Sequence, residues 1–114
     1  MSITIYHNPR CSKSRQALAI LVEGGAQPHI VEYLKAPLDA ASLADLCAKT
    51  GKPARAMIRT GESIYKELGL KDETDEVKLI AAMAAHPILM ERPLVVAGDT
   101  ALICRPPELV AQFL

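Results

Sequence analysis

The spacing of hydrophobic and polar positions changes several times along the chain, and each change marks an element. Near the start, "ITIY" alternates β-branched and aromatic side chains with the period of a strand. From Ser12 to about Glu23 the spacing becomes helical, with Ala17, Leu18, Leu21 and Val22 on recurring positions, and Gly24-Gly25 stops the helix. "HIVEY" then predicts a second strand. A β-loop-α-β opening makes the two strands parallel neighbours, and such a crossover is right-handed almost without exception.

The middle of the chain is helical in pattern. Asp39 is placed to N-cap a helix that carries Leu43, Leu46 and Cys47 on one face and ends at Gly51. Short turns follow around "ARAMIR" and "ESIYKEL". A longer helix opens near Thr74 or Asp75, shows Val77, Ile80, Ala81 and Ala84 as its apolar face, and is closed by Pro87. "PLVVA" and "ALIC" flank the turn-forming "GDT", which predicts an antiparallel hairpin, and "PPELVAQFL" reads as a closing helix opened by proline. The order is βαβ, a helical insertion over about 37–90, then ββα. That is an α/β fold of thioredoxin-like (glutaredoxin-like) type, a mixed four-stranded sheet with the insertion between its halves. With no repeat, low-complexity segment or charged linker, residues 1–114 read as a single domain.

Composition narrows the setting. Thirteen basic side chains balance 13 acidic ones, so nothing points to a nucleic-acid stripe or a membrane-binding face. The start "MSITIYH" lacks a basic leader followed by an apolar stretch, and the longest apolar run, "ALAILV", is too short to span a bilayer. A soluble cytoplasmic protein is expected. Three well-separated cysteines do not make a disulfide framework, which fits a reducing compartment where a thiol is available for chemistry.

The densest chemistry lies in "HNPRCSKSR", residues 7–15, at the predicted passage from first strand to first helix. Amide N–H groups at a helix start have no partners inside the helix and carry partial positive charge, so an anion is favoured there, including the thiolate of Cys11 itself. Arg10, Lys13 and Arg15 add positive charge, while Ser12 and Ser14 can donate hydrogen bonds, and all of these lower a thiol pKa. Cys11 is therefore a candidate nucleophile, preferred over a half-buried structural thiol. A dithiol redox motif is excluded because Ser14 stands where its second cysteine belongs. A cysteine-phosphatase loop is excluded because only Ser12, Lys13 and Ser14 separate Cys11 from Arg15, too few to wrap a phosphate. His7, His29, His86, Cys11, Cys47 and Cys104 show no paired spacing of a zinc site, so no metal is expected.

A loop too short to surround an anion needs cations from elsewhere in the chain. Arg92 precedes Pro93 just before a predicted strand, Arg105 precedes Pro106 just after one, and Arg59 ends "ARAMIR". Strand ends of an open sheet can face the edge that carries the first strand-helix loop. An ordinary surface role for each arginine is an equally good reading of the spacing alone.

"YHNPRCSKSR", "ARAMIR", "HPILMERPLVV" and "ICRPPE", in this order, closely resemble the glutathione- and glutaredoxin-linked arsenate reductase family, within the Spx-like superfamily, over essentially the whole chain. The resemblance implies a thioredoxin-like fold and reduction of arsenate to arsenite, a reaction of arsenic resistance, through a covalent adduct on one cysteine. Glutathione would be co-substrate, glutaredoxin the protein partner, and no cofactor would stay bound. Cys11 matches the family's nucleophile, and Arg59, Arg92 and Arg105 match its three oxyanion-binding arginines. His7 matches a histidine beside the nucleophile, while Ser14 and Arg15 match residues that hold the loop and support the thiolate. The Arg92-Pro93 bond matches the cis-proline of thioredoxin-like folds, so cis is expected, and the protein is expected to be a monomer.

Two other readings are weighed against this one. Spx-like regulators share the fold and bind RNA polymerase, commonly sensing oxidants through a Cys-x-x-Cys pair, and Ser14 in place of the second cysteine argues against such a switch. A thiol oxidoreductase acting on another oxyanion or on a thiol adduct could use the same residues. Cys47 and Cys104 read as structural, and so do His29 and His86.

Overall fold

In the computed structural model, which describes residues 2–114, the chain divides into two compact units. The first consists of the chain up to Ala36 together with Arg92–Leu114, and the second is Pro37–Glu91.

The first unit is built on β1 (Ile3–Tyr6), α1 (Ser12–Glu23), β2 (His29–Val31), β3 (Leu94–Ala97) and β4 (Thr100–Ile103). The sheet order is β2-β1-β3-β4, with β1 parallel to β2 and antiparallel to β3, and β3 antiparallel to β4. This is the thioredoxin-like arrangement that the order of patterns predicts. Ile5, Ala17, Leu21, Val95, Cys104 and Val110 form its core with no exposed surface, and Leu18, Leu102 and Phe113 pack around them. The apolar stripe of α1 thus meets one face of the sheet, and loss of water contact by these side chains is the main stabilising term.

Two details of this unit depart from the sequence pattern. β2 stops at Val31 rather than running through Tyr33, because the carbonyl of Glu32 accepts the amides of Lys35 (2.9 Å) and Ala36 (3.0 Å) and turns the chain. The closing segment Pro107–Phe113 is a 3₁₀ helix rather than an α-helix, and it packs on α1. Its sequence explains the choice: Pro107, Val110 and Phe113 recur every third position, which stacks them along one side of a three-residue turn.

The second unit carries α2 (Ala40–Thr50), α3 (Ser63–Glu67) and α4 (Glu76–Ala85), with a 3₁₀ turn at Ala54–Met57. Asp39 N-caps α2, its Oδ1 accepting the Ser42 amide at 2.8 Å, and Gly51 ends the helix with φ 70°. Such a left-handed conformation suits glycine because a Cβ would crowd the backbone there. Leu43, Leu46 and Cys47 are buried, as the pattern predicts. On α4 the pattern is met only in part: Leu79 and Met83 are buried and Ile80 and Ala84 half-buried, whereas Val77 is 73 % exposed and Ala81 is exposed too. Only Glu76 and Lys78 are polar in this helix, so its own sequence leaves the inner face open, and packing against α2 and the Ala54–Met57 turn selects it. Arg55 is a structural clasp, with Nη1 donating to Tyr65 Oη at 3.0 Å and Nη2 to the carbonyls of Leu70 and Glu73.

Candidate active site

Strand direction determines what gathers at one edge of the sheet in the first unit. β1 and the parallel β2 end there, the antiparallel β3 begins there, and β4 ends there. The loop between β1 and α1 leaves from this edge, and Arg92 and Arg105 flank the hairpin at the same edge. The hairpin pairs Leu94 with Ile103, and the amide of Cys104 donates to the carbonyl of Pro93 at 2.9 Å, so Arg92 and Arg105 come next in line. The Arg92–Pro93 peptide is cis, as expected, and Arg105–Pro106 is cis as well.

Residues 7–15 form a tightly bonded turn. The amide of His7 donates to the carbonyl of Val31 at 2.8 Å, which holds the loop to the end of β2. The carbonyl of Asn8 accepts the amide of Cys11 (3.0 Å), and Asn8 Oδ1 accepts the amide of Arg10 (3.0 Å). Cys11 sits at the N-cap of α1 with extended backbone, φ −91° and ψ 121°. Arg15 folds back from the first turn, its Nη1 donating to the carbonyl of Pro9 at 2.8 Å.

Behind the turn lies a buried polar pair. His7 Nδ1 and Ser14 Oγ are 2.6 Å apart, and the same hydroxyl accepts the amide of Asn8 at 3.1 Å. Burial holds the His7 imidazole below its usual pKa; the Glu32 carboxylate opposes that shift and the Arg15 guanidinium adds to it. A neutral ring is satisfied when Ser14 donates its hydroxyl proton to Nδ1, which assigns the ring proton to Nε2.

The thiol of Cys11 is half-buried, and its pKa is lowered. Burial alone pushes it up, but hydrogen bonds from the Ser14 amide, the Arg92 side chain and the Lys13 amide, with the charge of Arg92, outweigh that cost. The position of Cys11 at the N-cap of α1, where amides of the first helical turn have no helical partner, therefore favours the thiolate. Arg92 Nε and Nη1 are buried with no hydrogen-bond partner among the described residues. Arg105 is exposed, and its Nη1 donates to the main-chain oxygen of Arg92 at 3.0 Å. Thus Cys11, His7, Ser14, Arg15, Arg92 and Arg105 are assembled within one unit.

Arg59 belongs to the second unit, following the Ala54–Met57 turn. Its amide donates to the carbonyl of Leu89 at 2.8 Å beside the Ile58–Met90 bridge. Its Nη1 bonds Glu91 Oε1 at 3.0 Å, and its Nε lies 3.8 Å from Glu62 Oε2. Two carboxylates thus share this guanidinium.

The other thiols are unsuited to reaction. Cys104 has no exposed surface, and burial pushes its pKa to about 12. Cys47 is buried with Sγ 3.2 Å from Met57 Sδ, and burial, reinforced by the Glu76 carboxylate, raises its pKa. Among the described residues no group of three or more His, Cys, Asp or Glu side chains could hold a metal ion. Motif reasoning overlooked Asn8, which is 4 % exposed and makes three of the turn's bonds, and Glu91, which pairs with Arg59. The signal for Asn8 was present as Asn-Pro at a strand-to-helix turn, where an Asn side chain commonly bonds the amide two residues on.

A four-stranded sheet of this order with a cysteine at the N-cap of its first helix places the chain in the thioredoxin-like class. Within that class, residues 6–113 match the model of the ArsC family, and the chain belongs to that family. It is 51% identical over 113 residues to the uncharacterised protein YfgD of Escherichia coli K12, covering 97% of this chain and 95% of that one. It is 46% identical over 114 residues to an arsenate reductase of Neisseria meningitidis, covering 98% and 97% of the two chains. The solved structure of an arsenate reductase from Vibrio cholerae superposes with a TM-score of 0.96 at 46% identity, covering 100% of this chain and 98% of that one.

Proposed function

We propose that this protein is an arsenate reductase in which Cys11 is the nucleophile and glutathione and glutaredoxin supply the electrons. The observation that carries the reading is the pairing of a thiol held below its usual pKa with the Arg92 guanidinium, whose buried Nε and Nη1 donors have no partner among the described residues. A thiolate and a cation with spare donors suit a tetrahedral oxyanion, whose charge is offset before an oxygen leaves.

In this mechanism the Cys11 thiolate attacks arsenic(V) and one oxygen departs as water, leaving a sulfur–arsenic bond. Glutathione displaces a second oxygen, so arsenic, still at +5, bridges two sulfurs. A glutaredoxin thiolate then attacks the glutathione sulfur, and the electron pair of that sulfur–arsenic bond passes to arsenic, reducing it to +3. The products are a glutaredoxin–glutathione disulfide and arsenite on Cys11, which water releases. Ser14 in place of a second loop cysteine explains the need for external thiols. Arg105 supports Arg92, Ser14 and Arg15 hold the loop, and His7 acts through Ser14. Arg59 enters through the sequence resemblance alone.

The test is arsenate-dependent NADPH oxidation with glutathione, glutaredoxin and glutathione reductase. Turnover that requires arsenate and is abolished by Cys11→Ser supports the assignment. A folded, reduced protein without such turnover removes arsenate as substrate.

A further inference from the structure

The buried polar side chain at the centre of the 7–11 turn is unused by the mechanism above. Asn8 takes no part in the chemical steps, yet three of its groups tie the turn together. Its side-chain Oδ1 fixes the Arg10 amide, its carbonyl fixes the Cys11 amide, and its own amide is held by Ser14 Oγ. The first two bonds determine how the chain arrives at the N-cap. The third ties the turn to Ser14, in the first turn of the helix that Cys11 caps. Turn and helix start are therefore braced against each other through one residue.

We infer that Asn8 is a positioning residue for Cys11: its Oδ1 bond to the Arg10 amide and its carbonyl bond to the Cys11 amide keep the thiol at the N-cap of α1, beside the unpaired amides of the helix start. An amide bond to an anion weakens steeply as the angle falls off, so a turn that relaxes by a few tenths of an ångström withdraws stabilisation from the thiolate without dismantling the fold. The sequence around it shows why another residue is a poor substitute. A short side-chain oxygen is needed to reach the amide two residues on, and Asn before Pro9 supplies it.

This inference rests on the reading of Cys11 as the reactive thiol, but its test needs no arsenate. The pH dependence of Cys11 alkylation by iodoacetamide is measured on the full chain, with the modified site identified by mass spectrometry, for the wild type, Asn8→Ala and the near-isosteric Asn8→Leu. Circular dichroism verifies folding. A folded variant is expected to show its alkylation midpoint raised by about one pH unit, the size of shift that loss of hydrogen bonds to a thiolate produces. A midpoint equal to the wild type in a folded variant overturns the inference, even if stability falls. Failure of both variants to fold also overturns it, because Asn8 then serves the fold and not the thiol. An ordinary, unlowered midpoint in the wild type instead overturns the reading of Cys11.

Discussion

Arg105 Nη1 donates to the main-chain oxygen of Arg92 at 3.0 Å, so one arginine steadies the backbone from which the other reaches toward Cys11. Residues that share a bond do not act independently. Arg105→Ala is expected to weaken turnover partly by loosening Arg92, and the Arg92→Ala/Arg105→Ala double variant to lose less than the product of the single losses, by about threefold or more. Steady-state kinetics on the three variants check this, and full multiplicativity would refute it.

Arg92→Ala should act on chemistry before stability. Its guanidinium lowers the Cys11 pKa and holds donors with no partner among the described residues, so kcat/KM for arsenate is expected to fall about 100-fold, the scale of losing one donor to a developing anion. The Cys11 alkylation midpoint should move upward in the same variant. Arg92→Lys keeps the charge without the planar fork and should restore the midpoint more than the turnover.

Ser14 is buried and serves two partners, His7 Nδ1 and the Asn8 amide. Ser14→Ala leaves both without that oxygen, and the cost is expected to be about 1–3 kcal/mol in urea unfolding. A loss within error of zero would mean that neither bond matters to the fold.

His7 predicts a specific pH dependence of stability. Its folded-state pKa is lowered from 6.5, so as pH drops through 6.5 the unfolded chain takes up a proton that the folded chain refuses. The folded state is then disfavoured until the folded pKa is reached, so stability falls on acidification below 6.5 and is unaffected by this group above it. His7→Gln should flatten that part of the stability profile, read from urea midpoints between neutral and mildly acid pH.

Glu91 offers a test of Arg59. Both side chains of this pair are about a quarter exposed, so Glu91→Gln should change stability by less than about 1 kcal/mol. If Arg59 takes part in oxyanion binding, releasing its Nη1 from a carboxylate should lower the KM for arsenate. An unchanged KM in both Glu91→Gln and Arg59→Ala would remove Arg59 from the site.

Local chemistry was legible in the chain itself. The start of α1 after Cys11, its stop at Gly24, and the Asp39 and Gly51 ends of α2 are decided by bonds and dihedral angles within a few residues. So is the lowering of the Cys11 pKa, in so far as it comes from the start of its own helix. By contrast, the inner face of α4 needed its neighbours, because a helix apolar on most sides does not choose among them. The sequence could show two X-Pro arginines and a hairpin, but contact between Arg105 and Arg92, and of Arg92 with Cys11, follows from strand order and register. Those depend on which strands bury which faces together, a property of the assembled sheet that no single segment contains.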